Sequence, residues 1–140
     1  MWPGEPGSRR LTVSCSHANR HIVVLDLAGE LDSGTLLLLT REIAAVLARE
    51  PVPEAVVVDL GAVVAVSAAG LRALYAAQDH AGGKGVAVRV VAGRCSNAGR
   101  VLDATGMRAV LDVYSTRAAA VASGDRDRFV REMRGRWARG

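Results

Sequence analysis

Three histidines and one strand-terminal aspartate are the side chains of this sequence best suited to metal binding or catalysis. His17 and His21 flank a predicted hairpin turn, and neither they nor His80 have a carboxylate or cysteine at ligand spacing. Asp59 ends a predicted strand, where general acids and bases often lie, but we expect no second carboxylate to be placed to work with it. We therefore expect no metal site, and we expect Asp59 to accept hydrogen bonds from local backbone amides.

Two short segments share only part of a catalytic motif. Ser67 lies in Val66-Ser-Ala-Ala-Gly, which lacks the leading glycine of a nucleophile elbow. The pair Gly83-Lys84 lacks both the upstream glycine and the following Ser or Thr of a phosphate-binding loop. The sequence thus predicts a protein that is not an enzyme and holds no cofactor, with a nucleotide-binding or nucleotide-hydrolysing protein as a weaker alternative.

The two cysteines, Cys15 and Cys95, are too few for a disulfide framework and indicate a reduced, cytoplasmic setting. Cys15 is predicted to face the buried side of a sheet together with Leu11 and Val13, and Cys95 to lie in the loop before the third helix. A regulatory disulfide between the two thiols is a lesser hypothesis, which requires Cα atoms within about 7 Å of each other.

Hydrophobic periodicity predicts the element order β-β-α-β-α-β-α-β-α. The predicted strands are Leu11–Ser16, Arg20–Leu27, Glu54–Leu60, Val86–Val91 and Val110–Tyr114. The predicted helices are Thr35–Glu50, Ser67–His80, Ser96–Thr105 and Ser115–Ser123, with Asp32-Ser33 as the N-cap signal of the first. Single helices between strands favour an α/β fold with a mixed, mostly parallel sheet of four to five strands and helices packed on it.

The chain has 140 residues and a net charge of +4, but its charge is unevenly distributed. Leu11–Gly124 carries ten basic and ten acidic residues, so the predicted domain is neutral and the excess charge lies in Met1–Arg10 and Asp125–Gly140. A neutral domain argues against nucleic-acid binding. No apolar run approaches the ~20 residues of a membrane span, so we expect no membrane insertion.

The tail Asp125–Gly140 places Phe129, Met133 and Trp137 four residues apart, which is one stripe of a helix among arginines. The stripe is predicted either to pack on its own domain or to contact a partner or a second copy, with a membrane surface as a minor alternative.

An apolar loop is predicted after Leu60, and the segment Ser67-Ala-Ala-Gly70 then leads into a helix through small residues. In one interpretation Ser67 caps the helix and the alanines are ordinary helix formers. In the other the small side chains leave the helix N-terminus open to a closely docked partner.

Four short segments in order resemble the STAS domain, and specifically the bacterial anti-sigma factor antagonists, over Leu11–Ser123. They are Gly29-Glu-Leu-Asp32, Val56-Val-Val-Asp-Leu60, Ser67-Ala-Ala-Gly-Leu71 and Arg100-Val-Leu-Asp-Ala-Thr-Gly-Met107. The resemblance implies a protein that binds an anti-sigma factor, often a serine kinase, and so releases its sigma factor. It also implies that partner-binding residues lie at the ends of neighbouring strands: Glu30, Leu31, Asp32, Ser67, Ala68, Ala69, Gly70 and Leu71.

The sequence departs from the family pattern at the phosphorylation site. The family carries Asp-Ser-Ser/Thr-Gly-Leu, and its kinase can modify the residue before the glycine, which here is Ala69. Three hypotheses follow: an antagonist that phosphorylation cannot switch off, control displaced to Ser67, or a module that binds another protein. A STAS scaffold or ligand-sensing module outside a sigma pathway is the alternative function, and we expect a monomer or weak homodimer.

Overall fold

The computed structural model describes residues 10–123, in which a single five-stranded sheet carries helices on both faces. The strands are β1 Thr12–Asn19, β2 Ile22–Leu31, β3 Ala55–Val66, β4 Ala87–Val91 and β5 Val113–Tyr114. The helices are α1 Leu36–Leu47, α2 Ala68–Gly82, α3 Asn97–Thr105 and a short 3-10 helix, Met107–Ala109, followed by the helical residues 117–123, here called α4.

The strands lie in the order β1-β2-β3-β4-β5. β1 pairs antiparallel with β2 through a tight hairpin, whereas β2, β3, β4 and β5 run parallel and are joined by helical crossovers. The predicted mixed, mostly parallel sheet is thus confirmed. None of the helices between residues 10 and 123 has the length and hydropathy needed to cross a bilayer.

The sheet buries two unequal apolar faces because successive strand side chains point to opposite sides. Leu25, Val58 and Val90 belong to the larger core, which α1, α2 and α3 cover. Val24 and Val57 belong to the smaller core, to which α4 contributes Ala120. Strands buried on both faces explain the near-continuous valine run of β3.

Three strands extend beyond their predicted ends, and the first of them, β1, continues to Asn19. β2 continues to Leu31 and β3 to Val66, and their last residues pair as Glu30 with Ala65 and Leu31 with Val66. The segment after Leu60, predicted as an apolar loop, is therefore a strand, because β2 offers it a backbone partner along its whole length. Two register irregularities in this pairing accommodate the extra residues.

The first helix is shorter than predicted at both ends. α1 begins at Leu36 with Thr35 as its N-cap residue and ends at Leu47, so Asp32-Ser33 does not cap it. The predicted terminal segments Met1–Arg10 and Asp125–Gly140 lie outside the described residues, apart from Arg10.

Candidate functional site

Ser67 forms the junction between β3 and α2. Its backbone N–H donates to the carbonyl of Leu31 (3.0 Å), which joins the end of β3 to the end of β2. Its hydroxyl accepts from the Gly70 N–H (3.2 Å), so Ser67 is the N-cap residue of α2 as one of the two interpretations predicts. The first turn of α2 is thereby fixed to the ends of two adjacent strands.

Gly70 lets α2 approach β2 at a distance that no other residue allows. A Cβ atom at position 70 would lie 2.4 Å from the Leu31 carbonyl oxygen and 3.0 Å from its carbonyl carbon. Both atoms are backbone and cannot turn aside. Gly70 is buried, so it serves helix–strand packing and does not itself form part of an open surface.

The same arrangement recurs at the start of α3. Ser96 caps that helix by accepting from the Gly99 N–H (3.0 Å), and its hydroxyl donates to the Gly93 carbonyl (2.6 Å). A Cβ atom at Gly99 would lie 1.9 Å from the same carbonyl oxygen. The Ser-x-x-Gly spacing therefore has a structural cause at both helices, and at Ser67–Gly70 it does not by itself indicate a docking site.

The loop after β2 is held by a network around Thr35. The Thr35 hydroxyl donates to the Glu30 carbonyl (2.7 Å) and accepts from the Asp32 N–H (3.0 Å). The Asp32 carboxylate accepts from the Gly34 N–H (2.9 Å), which closes a local turn rather than capping α1. These bonds fix Glu30 and Asp32 beside the N-terminus of α2.

The structure brings all eight predicted site residues to one end of the sheet but buries three of them. Leu31, Gly70 and Leu71 are buried and form the packing beneath the surface. The remaining five, here called the strand-end surface, are exposed or half-buried: Glu30, Asp32, Ser67, Ala68 and Ala69. Only these five are open to direct contact with a partner in this conformation.

The first turn of α1 adds an apolar residue that sequence reasoning missed. Leu37 is 52% exposed and follows the loop that carries Asp32. The run Leu36–Leu39 predicts burial of one side of a helix, and only Leu39 of the four is fully buried. Four consecutive leucines on a helix cannot all face one core, and that signal was available in the sequence.

An apolar groove of about 560 Å³ lies beside the strand-end surface, between α2 and the 3-10 helix. Its lining includes Ala68, Leu71, Tyr75, Met107 and Val110. Tyr75 is 47% exposed and Val110 is 48% exposed, so large apolar side chains border the groove from both sides. Sequence reasoning did not find this groove because its walls are about 30 residues apart in the chain.

A charged cluster lies on the opposite face of the sheet. Asp26 and Asp59 are directly paired across β2 and β3, and the Arg117 guanidinium of α4 donates to both carboxylates, at 3.0 Å to Asp59. The hydrogen bond with Asp59 is the largest cause of the raised pKa of Arg117. Asp59 also accepts from the Gly61 N–H (2.8 Å), as expected, but the expectation that no second carboxylate is near it is wrong.

This cluster is a structural ion pair in the described structure. Each carboxylate is satisfied by a permanently charged guanidinium, which fixes α4 to the sheet. Between residues 10 and 123 no three His, Cys, Asp or Glu side chains are grouped so that they could hold a metal ion.

The predicted burial of Cys15 is wrong. Cys15 does face the same side of the sheet as its partner Leu25, but β1 is an edge strand, and only the Arg49 guanidinium beyond α1 reaches the thiol (3.3 Å). Cys15 is in register with Val90 of β4 across three strand spacings, roughly 14 Å. Cys95 lies five residues beyond Val90, and both thiols are free in the described structure.

Comparison with known families accounts for this architecture. A family model for the STAS domain matches residues 16–120, which is most of the chain. The chain belongs to the STAS domain family. No protein of curated function matches the chain in sequence.

Several solved structures are similar to this chain over most of its length. An anti-sigma factor antagonist from Mycobacterium paratuberculosis is 28% identical, with a TM-score of 0.71 over 87% of this chain and 98% of that one. The anti-sigma factor antagonist SpoIIAA in its unphosphorylated form is 14% identical, with a TM-score of 0.62 over 84% and 96%. The murine anion transporter Slc26a9 is 14% identical, with a TM-score of 0.59 over 84% of this chain and 22% of the transporter.

The position before the glycine of the STAS motif is occupied here by a half-buried alanine. Ala69 lies in the first turn of α2, next to the exposed Ala68. Ser67, two residues earlier, is half-buried with its oxygen already bonded to the Gly70 amide. The first turn of α2 is therefore apolar in this STAS domain. The one hydroxyl at its start, that of Ser67, is engaged as the N-cap.

Proposed function

We propose that this protein is an anti-sigma factor antagonist that binds an anti-sigma factor and releases the sigma factor it holds. The observation that carries the proposal is the combination of STAS membership with 28% identity and a TM-score of 0.71 to an anti-sigma factor antagonist across almost all of that chain. The antagonist acts by binding alone and catalyses no reaction, since a partner switch needs only a difference in affinity between two states. It works in the cytoplasm, in transcription regulation, with neither nucleic acid nor membrane as its partner.

The docking region is the strand-end surface, with Leu37 as an apolar neighbour. Small side chains at Ala68 and Ala69 allow a partner backbone to approach α2 closely, and Glu30 and Asp32 supply charge beside them. Desolvated contacts of this kind are sensitive to bulk and charge. An arginine at position 68 is therefore expected to abolish docking.

The antagonist is not switched off by phosphorylation at the usual place. Ala69 has no hydroxyl, so a serine-kinase partner cannot place a phosphate dianion there. We assign Ser67 to helix capping, because its oxygen accepts from the Gly70 N–H. Phosphate mapped to Ser67 after incubation with the partner and ATP would contradict this assignment.

Affinity capture from the native host's lysate, with and without ATP, tests the proposal. Wild type is compared with Ala68→Arg and with the matched control Ala45→Arg, which places the same side chain at an exposed alanine on α1. We expect an anti-sigma factor with wild type and the control, none with Ala68→Arg, and no effect of ATP. If no anti-sigma factor is retained by wild type in either condition, the proposal is wrong.

A STAS scaffold or ligand-sensing module outside a sigma pathway is the second candidate function. The murine anion transporter carries the same fold in 22% of its chain, so this architecture also serves proteins whose names do not mention sigma regulation. The apolar groove beside α2 has the size of a small-molecule site and favours this candidate. Capture of a different, Ala68-dependent protein would favour it over the antagonist.

A further inference from the structure

The groove between α2 and the 3-10 helix is an open apolar feature of the described residues. Its volume of about 560 Å³ falls in the range of binding sites, and its lining is almost entirely carbon. Tyr75 and Val110 each retain nearly half of their exposure at its borders. No segment between residues 10 and 123 covers these two side chains.

The chain itself contains an apolar sequence suited to such a groove. Phe129, Met133 and Trp137 recur every fourth residue, and Phe129 is the single phenylalanine of the protein. This spacing predicts one stripe along a helix, which is the pattern by which amphipathic helices fill apolar grooves. The other residues of Asp125–Gly140 are mostly charged, so the stripe is its main apolar content.

The tail also begins within reach of the groove. The Ser123 hydroxyl is 2.7 Å from the Tyr114 hydroxyl, which donates to the Asp112 carboxylate (3.2 Å), two residues after Val110. This path limits the Cα separation of Ser123 and Val110 to roughly 20 Å. Trp137 is fourteen residues beyond Ser123, a reach of roughly 21 Å as a helix and more when extended, so the tail is long enough for Trp137 to reach the groove.

We propose that residues 125–140 of the same chain occupy the groove, with Phe129, Met133 and Trp137 packed against Tyr75, Met107 and Val110. Apolar burial drives this contact, because Arg72 also lines the groove and opposes the six arginines of the tail. Salt is therefore not expected to weaken occupancy, because it screens the repulsion between Arg72 and the tail, whereas it would weaken a contact held by opposite charges.

The seated tail adjoins the docking region. Ala68 belongs both to the groove and to the strand-end surface, so a tail in the groove lies against one side of that surface. If the protein binds an anti-sigma factor as proposed above, the seated tail reduces the surface that this partner can contact. Displacement of the tail from the groove makes that surface larger.

Tryptophan fluorescence of the full-length chain tests the proposal. In a Trp2→Phe background Trp137 is the sole tryptophan, and we expect blue-shifted emission and weak acrylamide quenching, and salt should weaken neither effect. Adding Val110→Glu is expected to shift the emission towards that of free tryptophan and to raise the quenching constant several-fold. The matched control Val52→Glu changes a valine that is 41% exposed in a loop far from the groove, and it leaves both signals unchanged.

Three results would overturn the proposal. Solvent-exposed Trp137 in the parent means that the tail is not seated, and blue-shifted emission that Val110→Glu leaves unchanged means that it packs elsewhere. Emission that shifts to the blue only as protein concentration rises assigns the groove to the tail of a second copy. If Val110→Glu does not fold, Tyr75→Glu makes the same test from the other border.

This test is independent of any partner. Exposed Trp137 would refute the seated tail without touching the antagonist proposal. Failure to capture an anti-sigma factor would refute the antagonist proposal and leave the fluorescence result unaffected.

Discussion

At the residue scale, the small side chains that lead into α2 have two different roles. Gly70 is required because its Cα lies against the Leu31 carbonyl, whereas Ala68 is open to solvent. The sequence motif cannot separate these roles, since both residues are simply small. The atoms that surround each residue in the fold determine its role. The same arrangement at Ser96 and Gly99 supports the structural role of Gly70.

Replacement of Gly70 by alanine is expected to lower the free energy of unfolding by about 1–3 kcal/mol, since the added Cβ lies 2.4 Å from a backbone oxygen. The control is Gly82→Ala at the other end of α2, where nothing lies within 4 Å of the added Cβ. That variant should be neutral or stabilising by up to about 1 kcal/mol. Urea denaturation measures both, and equal stability of the two variants would contradict the packing role.

At the element scale, α4 is attached to the sheet by polar contacts more than by apolar ones. Arg117 joins it to β2 and β3, and the Ser123–Tyr114 hydrogen bond joins its other end to β5. Its fully buried apolar side chain in the described range is Ala120, which buries little area. Periodicity predicts that this helix exists but cannot reveal contacts made across 58 and 91 residues of chain.

Arg117 is expected to stabilise the fold chiefly because its guanidinium bridges two facing carboxylates and offsets their mutual repulsion. Arg117→Gln should reduce stability by about 1 kcal/mol, as the pair is partly exposed and like charges then stand directly opposite. A double-mutant cycle with Asp26→Asn measures the coupling. The second substitution should restore stability in the Arg117→Gln background, and strictly additive effects would exclude the bridging role.

Tyr114, which contacts α4 through Ser123, makes the stability of the fold depend on pH in the alkaline range. Burial raises the pKa of its phenol above the ordinary value of 10.0, because the anionic form is disfavoured in the folded chain. The unfolded chain releases this proton first, so stability is unchanged below about pH 10 and falls as pH rises through the folded pKa. Unfolding measured from pH 8 to 11 should show this loss in wild type and less of it in Tyr114→Phe; parallel profiles would refute the assignment.

At the scale of the whole molecule, sequence reasoning predicted the element order and the mixed sheet but not the lengths of β2 and β3. Polar and glycine residues at Gly29-Glu30 and Gly61 indicated loops, and only the pairing of one strand end with the other makes them strands. Sequence reasoning also placed the strand-end residues together correctly. It could not tell which of their side chains would be buried by packing, as Leu31 and Leu71 are. The apolar groove and the pairing of Asp26 with Asp59 both depend on the register between strands and helices. A single sequence does not reveal that register.

We expect that this protein does not bind free nucleotides. The Gly83-Lys84 segment stands in the exposed turn that follows α2, with no phosphate-binding loop around it. We expect ATP and GTP at millimolar concentration to leave the melting temperature unchanged. A rise in melting temperature that grows with nucleotide concentration would restore the nucleotide-binding alternative.

The contact between Gly70 and the Leu31 carbonyl also bears on how quickly a partner can associate. It joins the loop after β2 and the first turn of α2 into one rigid block, with Thr35 and Ser67 holding either side. Under the proposed function, a partner therefore meets a surface whose loop and helix start are already ordered, and little entropy is lost in ordering them. For a partner that docks on the strand-end surface without displacing the tail, association should rise linearly with partner concentration, without the plateau that a preceding rearrangement would impose.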